Sequence, residues 1–258
     1  MHTNRKTGQR KRLGKANWRE ARDRRIYGKL RTLVSLGESM HKSYGEKIEP
    51  LSVFYGKPDR PNHWELSPFP MLMQDNGRPM PQWKELSPWM KVMIATMMGH
   101  QWELLTININ LHPDLEAKLI SLGDVRGKMR EAITRNIRRS LGSPREFFFV
   151  IEGQSKDTLA PTGLHLHGAI CVHERQEIDA LRSAVLLAAG QTAKRRVPRA
   201  LHTKPFETIR VAYVDYLFKF AKTFDARLEE RRLAMSRPMT QAASTFWQDI
   251  TRVREWEG

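Results

Sequence analysis

An α+β domain, with a central and mainly antiparallel sheet flanked by helices, is the fold class this sequence predicts. Three observations carry it. Segments of strand and helix texture follow one another as β–α–β–β–α–β–α between residues 102 and 224. Two strand-like runs, 145–153 and 164–172, are separated only by Gln154 and the turn-rich SKDTLAPTG, the pattern of an antiparallel hairpin. Between the first strand and that hairpin, 112–141 keeps a 3.6-residue apolar rhythm through Leu115, Leu119, Leu122, Met129, Ile133 and Ile137.

The elements follow in chain order. Residues 1–50 hold 14 Lys/Arg against 5 Asp/Glu, and Trp18, Ile26, Leu30, Leu33 and Val34 are spaced for one helix face. Residues 1–55 therefore read as a basic, helical and partly disordered arm. Residues 56–99 are rich in proline and turn residues and read as irregular structure. WELLTININL (102–111) has the β-branched alternation of a strand. Pro113 opens the helical run that follows, with Gly123 and Gly127 expected to interrupt it. The hairpin comes next, then a helix over 177–190 that stops at Gly190, a basic linker QTAKRRVPR, a short strand in ALHTKPF and a helix over 207–224. Residues 226–258 read as a charged helical tail. The domain proper is expected to span 100–225.

The chain has 258 residues and a formal charge of +16. That excess favours a polyanionic partner, because each neutralised phosphate releases condensed counterions. One cysteine, Cys171, leaves no internal disulfide and no cysteine-rich zinc module, which fits a reducing cytoplasm. The basic N-terminus is not followed by the apolar run of a secretory signal, and no stretch approaches the length of a membrane span. There is no G-x-x-x-x-G-K-[ST] phosphate loop, so no ATPase motor is expected.

Chemistry concentrates in the hairpin. In GLHLHGAI, His165 and His167 are two residues apart on one strand, so both imidazoles leave the same face. Glu152 ends the preceding strand just before the loop, which makes it a cross-strand neighbour of His165. One carboxylate and two imidazoles suit Mg²⁺, Mn²⁺ or another divalent ion with coordination sites left for phosphate and water. Two histidines at this spacing also occur as ordinary hydrogen-bonded strand residues. Downstream, Tyr213, Tyr216 and Lys219 fall at i, i+3 spacing along one side of the last helix, with Lys222 extending the row. The same stripe also has the look of simple amphipathic packing.

Taken in order, the FFFVIEG…GLHLHGAI hairpin and the later YLFK resemble the HUH endonucleases, specifically the rolling-circle replication initiators of Rep type. The resemblance covers about residues 100–225. His165-Leu166-His167 matches the family's His-hydrophobe-His motif, Glu152 its acidic ligand, and Tyr216-Leu217-Phe218-Lys219 its nucleophile motif, with LLTININ standing for its Thr-containing strand. One departure is Phe220, four residues after Tyr216, where some initiators carry a second tyrosine. A single nucleophile, Tyr216, is therefore expected, with Tyr213 as second choice.

The resemblance implies a metal-dependent endonuclease and strand transferase. Glu152, His165 and His167 would hold Mg²⁺ or Mn²⁺, and Tyr216, aided by Lys219, would form a 5′-phosphotyrosine link that leaves a free 3′-OH. A free phenol titrates near 10, so a tyrosine needs such help at neutral pH. The substrate implied is single-stranded or hairpin origin DNA of a plasmid or phage in a bacterial cytoplasm, with host helicase and polymerase as further partners and no membrane. Candidate phosphate contacts are Arg135, Arg138 and Arg139 in RNIRR, Lys194, Arg195, Arg196 and Arg199 in the linker, and Lys222. A single-strand transposase or a relaxase shares this nuclease core, although a relaxase carries its tyrosine ahead of the histidines. A basic nucleic-acid-binding protein without catalysis is the alternative from another class.

Overall fold

In a computed structural model of the chain, residues 17–30, 74–75, 78–97, 103–154, 160–192, 194, 197, 199–205, 211–220 and 223–251 are described. They divide into two compact units, one of residues 1–94 with 243–258 and one of residues 95–242.

In the first unit, helix α1 covers residues 17–30 of the basic arm. It buries Ile26 and Leu30 as the spacing predicts, while Trp18 stays exposed and Leu33 and Val34 lie outside the described residues. A two-residue ladder, β1 (Gln74–Asp75) with β2 (Arg78–Pro79), precedes a single 3₁₀ turn and helix α2 (Pro88–Met97), whose last three residues are counted with the second unit. This helix corrects the expectation of irregular structure over 56–99. Ser87 Oγ accepts from Met90 N at 3.2 Å, and Pro88 takes the first helical position, where no N–H is needed. The apolar run that follows is buried at Met90, Val92, Met93 and Ile94. The buried carboxylate of Asp23 on α1 accepts from Ser87 N at 2.6 Å, tying the arm to the start of α2.

In the second unit the elements are β3 (Glu103–Asn110), α3 (Pro113–Leu122), α4 (Val125–Leu141), β4 (Phe147–Gln154), β5 (Pro161–Val172), α5 (Ile178–Ala188), β6 (Leu201–Pro205), α6 (Val211–Leu217) and β7 (Leu233–Met235). Helix α7 (Arg237–Thr251) follows, its residues from 243 onward counted with the first unit. The strands form one antiparallel sheet in the order β6-β3-β5-β4-β7. The fold class is therefore α+β, as predicted.

Three local expectations are corrected. Gly123, at φ 69°, ends α3, but Gly127 lies inside α4 and does not break it. A Cβ at Gly127 would stand 2.3 Å from the Asp124 carboxylate, whose Oδ1 caps α4 by accepting Gly127 N at 2.8 Å. The glycine is there to let the cap approach. Of the helix expected over 207–224, the described part is helical only over Val211–Leu217, with a turn at 218–220. The segment 226–258, read as helical, also contributes the edge strand β7, which pairs with Phe148–Val150 of β4.

One face of the sheet packs on α3, α4 and α5. Leu105, Ile107 and Ile109 of β3, Phe147, Phe149 and Ile151 of β4, and Leu164, Leu166, Ile170 and Val172 of β5 meet Leu119, Met129, Ile133, Ile137, Leu181 and Val185 there. Strand alternation sends the intervening residues to the other face. That face carries Thr106 and Asn108, Val150 and Glu152, His165 and His167, and His202 and Lys204. No helix among the described residues is long and apolar enough to cross a membrane.

Candidate metal centre

The register of the hairpin places Glu152 opposite His165 and Val150 opposite His167. One ligand atom each from Glu152, His165 and His167 lie within 4.8 Å of one another. Glu152 is fully buried, and Oε2 stands 3.5 Å from His165 Nε2 and 3.3 Å from His167 Nε2. The imidazoles meet edge to face, with ring centroids 4.8 Å apart.

The hydrogen bonds behind the histidines fix what they present. His165 Nδ1 donates to the carbonyl of Gly163 at 3.1 Å, since a carbonyl can only accept. His167 Nδ1 lies 2.6 Å from Asn108 Oδ1, an acceptor on β3 directly opposite it in register. With Nδ1 of each ring turned to an acceptor behind it, Nε2 of both rings is the atom turned toward Glu152. Burial pushes the Glu152 carboxyl up, but the imidazoles of His165 and His167 and the Lys219 ammonium outweigh it and hold the group at about 2. Burial also lowers His167 below its usual range, the nearby carboxylate only partly offsetting that. Glu152 Oε2, whose ionised form these neighbours favour, lies 3.3 Å from His167 Nε2. Neither oxygen of Glu152 accepts a well-directed hydrogen bond. The Lys219 ammonium already meets this buried charge at 3.2 Å, and a donor set of one carboxylate and two nitrogens also fits a divalent ion.

Lys219 and Tyr216 arrive from α6 and the turn behind it. Lys219 Nζ lies 3.2 Å from Glu152 Oε2 and 3.4 Å from the centroid of the Tyr216 ring. The Tyr216 ring packs edge to face on His167, centroids 5.3 Å apart, and remains 44% exposed. Tyr216 and Lys219 still share a side although α6 ends at Leu217, because Lys219 N reaches back to Tyr216 O at 3.3 Å. Tyr213 differs in kind. Its hydroxyl donates to the Gly168 carbonyl at 2.7 Å, and burial pushes its phenol far above the ordinary tyrosine value. It anchors α6 to β5. Phe220 is buried, with Lys219 Nζ 5.2 Å from its ring centroid.

No family model, curated protein or solved structure matches this chain.

The basic residues divide. Arg135, Arg138 and Arg139 are exposed on α4, so the sheet separates them from the histidine face and they do not join the site. Arg199 is exposed at φ 55°, and its carbonyl accepts Asn110 Nδ2 at 3.2 Å, where Asn110 is the β3 neighbour of His165. Lys194 is exposed in the same linker. Arg195, Arg196 and Lys222 lie outside the described residues.

Sequence reasoning missed Asn108, His202 and Lys204. The alternation of LLTININ puts Asn108 on the polar side of its strand, but only the β3–β5 register shows that it meets His167. Asn108→Ala should weaken divalent-ion affinity by about 10–100-fold, the usual loss when a ligand's orienting partner is removed. Asn108→Asp, which keeps the acceptor, should recover most of it. Calorimetric titration with Mn²⁺ measures both, and an alanine variant that binds as tightly as the native protein would refute this role.

Proposed function

We propose that this chain is a metal-dependent endonuclease that nicks and rejoins single-stranded DNA, of the type that starts rolling-circle replication of a plasmid or phage. The observation that carries the reading is the convergence of Glu152, His165 and His167 with the exposed ring of Tyr216 and the ammonium of Lys219. The charge of +16 supports a nucleic-acid substrate.

In this reading a divalent ion, when bound, supplies Lewis-acid polarisation of one DNA phosphate. The chain's own groups do the rest. Glu152 gives the site its negative charge, and Gly163 and Asn108 hold the two imidazoles in the ligating tautomer. Tyr216 Oη attacks phosphorus. The Oη–P bond forms, the P–O3′ bond breaks, the phenolic proton passes to solvent and the departing 3′ oxygen takes up a proton. Lys219, over the Tyr216 ring, adds positive potential where the phenolate develops. The ester to Tyr216 conserves the energy of the broken bond, so a 3′-OH can reverse the step without ATP.

Incubation with Mn²⁺ and a labelled, randomised library of single-stranded and hairpin DNA should give an SDS-resistant protein–DNA band. Tyr216→Phe should abolish that band completely and Tyr213→Phe should keep it. The reverse pattern would assign the nucleophile to Tyr213. The Lys219–Glu152 ion pair favours a second reading, a basic DNA-binding protein whose carboxylate is neutralised internally. That reading expects binding without metal and no band on any member of the library.

A further inference from the structure

Phe224 is the most exposed large hydrophobic side chain among the described residues, at 78%. Single apolar side chains at a surface are ordinary. What sets this one apart is the backbone it stands on. Its carbonyl accepts Gln154 Nε2 at 2.9 Å. The carbonyl of Thr223 accepts from the guanidinium of Arg232, and Asp225 Oδ1 accepts both Arg227 N and Arg227 Nε at 3.0 Å. Gln154, Asp225 and Arg232 are all buried. Arg227 then donates to the carbonyls of Gly153 on β4 and Thr162 on β5, so residues 223–225 are fastened to the loop end of the hairpin that carries Glu152 and His165.

The attachment also fixes the location. Gln154 follows Glu152 by two residues on β4, and Lys219, whose Nζ is 3.2 Å from Glu152 Oε2, precedes Phe224 by five residues in the chain. The backbone of Phe224 is therefore held at the end of β4 that carries Glu152. Holding it there is expensive, because Arg232 is buried with Nε and Nη1 unpaired. The ring itself draws little packing from this arrangement. Stability spent on displaying an apolar ring belongs to a surface that meets something.

We propose that the Phe224 ring is a stacking platform for an unpaired base of single-stranded DNA, next to the nucleotide whose phosphate reaches the ion site. This rests on the nicking reading for the identity of the strand. A flat aromatic face accepts any base, and a ring on fixed backbone loses little freedom when the base arrives. A duplex, whose base faces are already stacked, offers it nothing. The chain's excess of cations draws the strand in by its phosphates.

The test is binding of fluorescein-labelled oligothymidylate by anisotropy, in EDTA so that ion-dependent chemistry is silent, with the melting temperature of each variant recorded. Phe224→Ala should weaken binding roughly tenfold, the scale of one lost base–aromatic stack. Phe224→Trp should retain affinity and add a fluorescence quench on binding that the native protein lacks. Phe224→Leu, which keeps bulk without a π face, should bind as weakly as the alanine variant. Native-like binding by either the alanine or the leucine variant at unchanged melting temperature overturns the proposal. So does an equal loss on duplex DNA, or a loss confined to oligouridylate. The Mn²⁺-dependent covalent band at Tyr216 is scored separately. Its absence together with a Phe224 effect would defeat the nuclease reading and leave the platform standing. Its presence with native-like binding by Phe224→Ala would defeat the platform alone.

Discussion

Glu152→Gln is expected to abolish divalent-ion binding and, with it, all DNA cleavage. The carboxylate is the only formally negative group in the donor set, and it is fully buried between two imidazole nitrogens. An amide keeps the shape and removes the charge, so what is lost is attraction for the cation. The readout need not be activity. Saturating Mn²⁺ should raise the melting temperature of the native protein, since a ligand present at a hundred times its dissociation constant adds about 2.7 kcal/mol of stability. The variant should show no rise. The His165→Ala/His167→Ala double variant should also lose the rise and the cleavage while keeping most of its DNA affinity. The pH dependence has a definite sign. Glu152, held at about 2, stays ionised throughout the working range, so the pH dependence of ion binding comes from the imidazoles. Protons compete with the ion at Nε2, and affinity falls as pH falls. Because burial lowers His167, its share is lost only below the ordinary histidine range. A melting shift of native size in either variant would remove the metal centre altogether.

Gly168→Ala is expected to be the most damaging single methyl in the second unit. Gly168 lies on the central strand β5, opposite Ile107 on one side and Phe149 on the other. A Cβ there would stand 2.0 Å from the Phe148 carbonyl oxygen and 2.7 Å from Phe149 Cα. Both are backbone atoms of a paired strand, so relief requires moving β4 rather than a side chain. Overpacking of this kind should cost upwards of about 3 kcal/mol. For a unit of this size that is about 10 °C of melting temperature. The Gly168 carbonyl also receives the Tyr213 hydroxyl and follows directly on His167, so the ion site should loosen with the fold. Thermal melts with and without Mn²⁺ measure both effects, and a loss under about 1 kcal/mol would show that the strands can part more easily than the clash implies.

Why Glu152, His165 and His167 could be read from the chain is plain physically. They depend on one local hairpin, and strand alternation with a short loop dictates that they meet. Asn108 could not be read in the same way, because its partner is 59 residues away and pairing of β3 with β5 is a tertiary choice. Strand β7 is three residues, LAM, among arginines and glutamates. It exists because β4 offers it an edge, not because of its own propensity. Helix α2 was hidden by the prolines around it, although Ser87 and Pro88 are the start signals such a helix uses. The arginines of RNIRR looked like phosphate contacts by composition, and only the layering of α4 on the apolar face of the sheet separates them from the histidines.

The seven described residues of α6, Val211–Leu217, lead into the turn at 218–220. They carry Tyr216, while His165 and His167 ride on a strand paired along both edges. A DNA end joined to Tyr216 would pull on α6, and the pull would pass to β5 through the Tyr213 hydroxyl. On the proposed reading, a load on the tether would thus reach the candidate ligands through one hydroxyl on the strand that carries them, so Tyr213→Phe should uncouple the two.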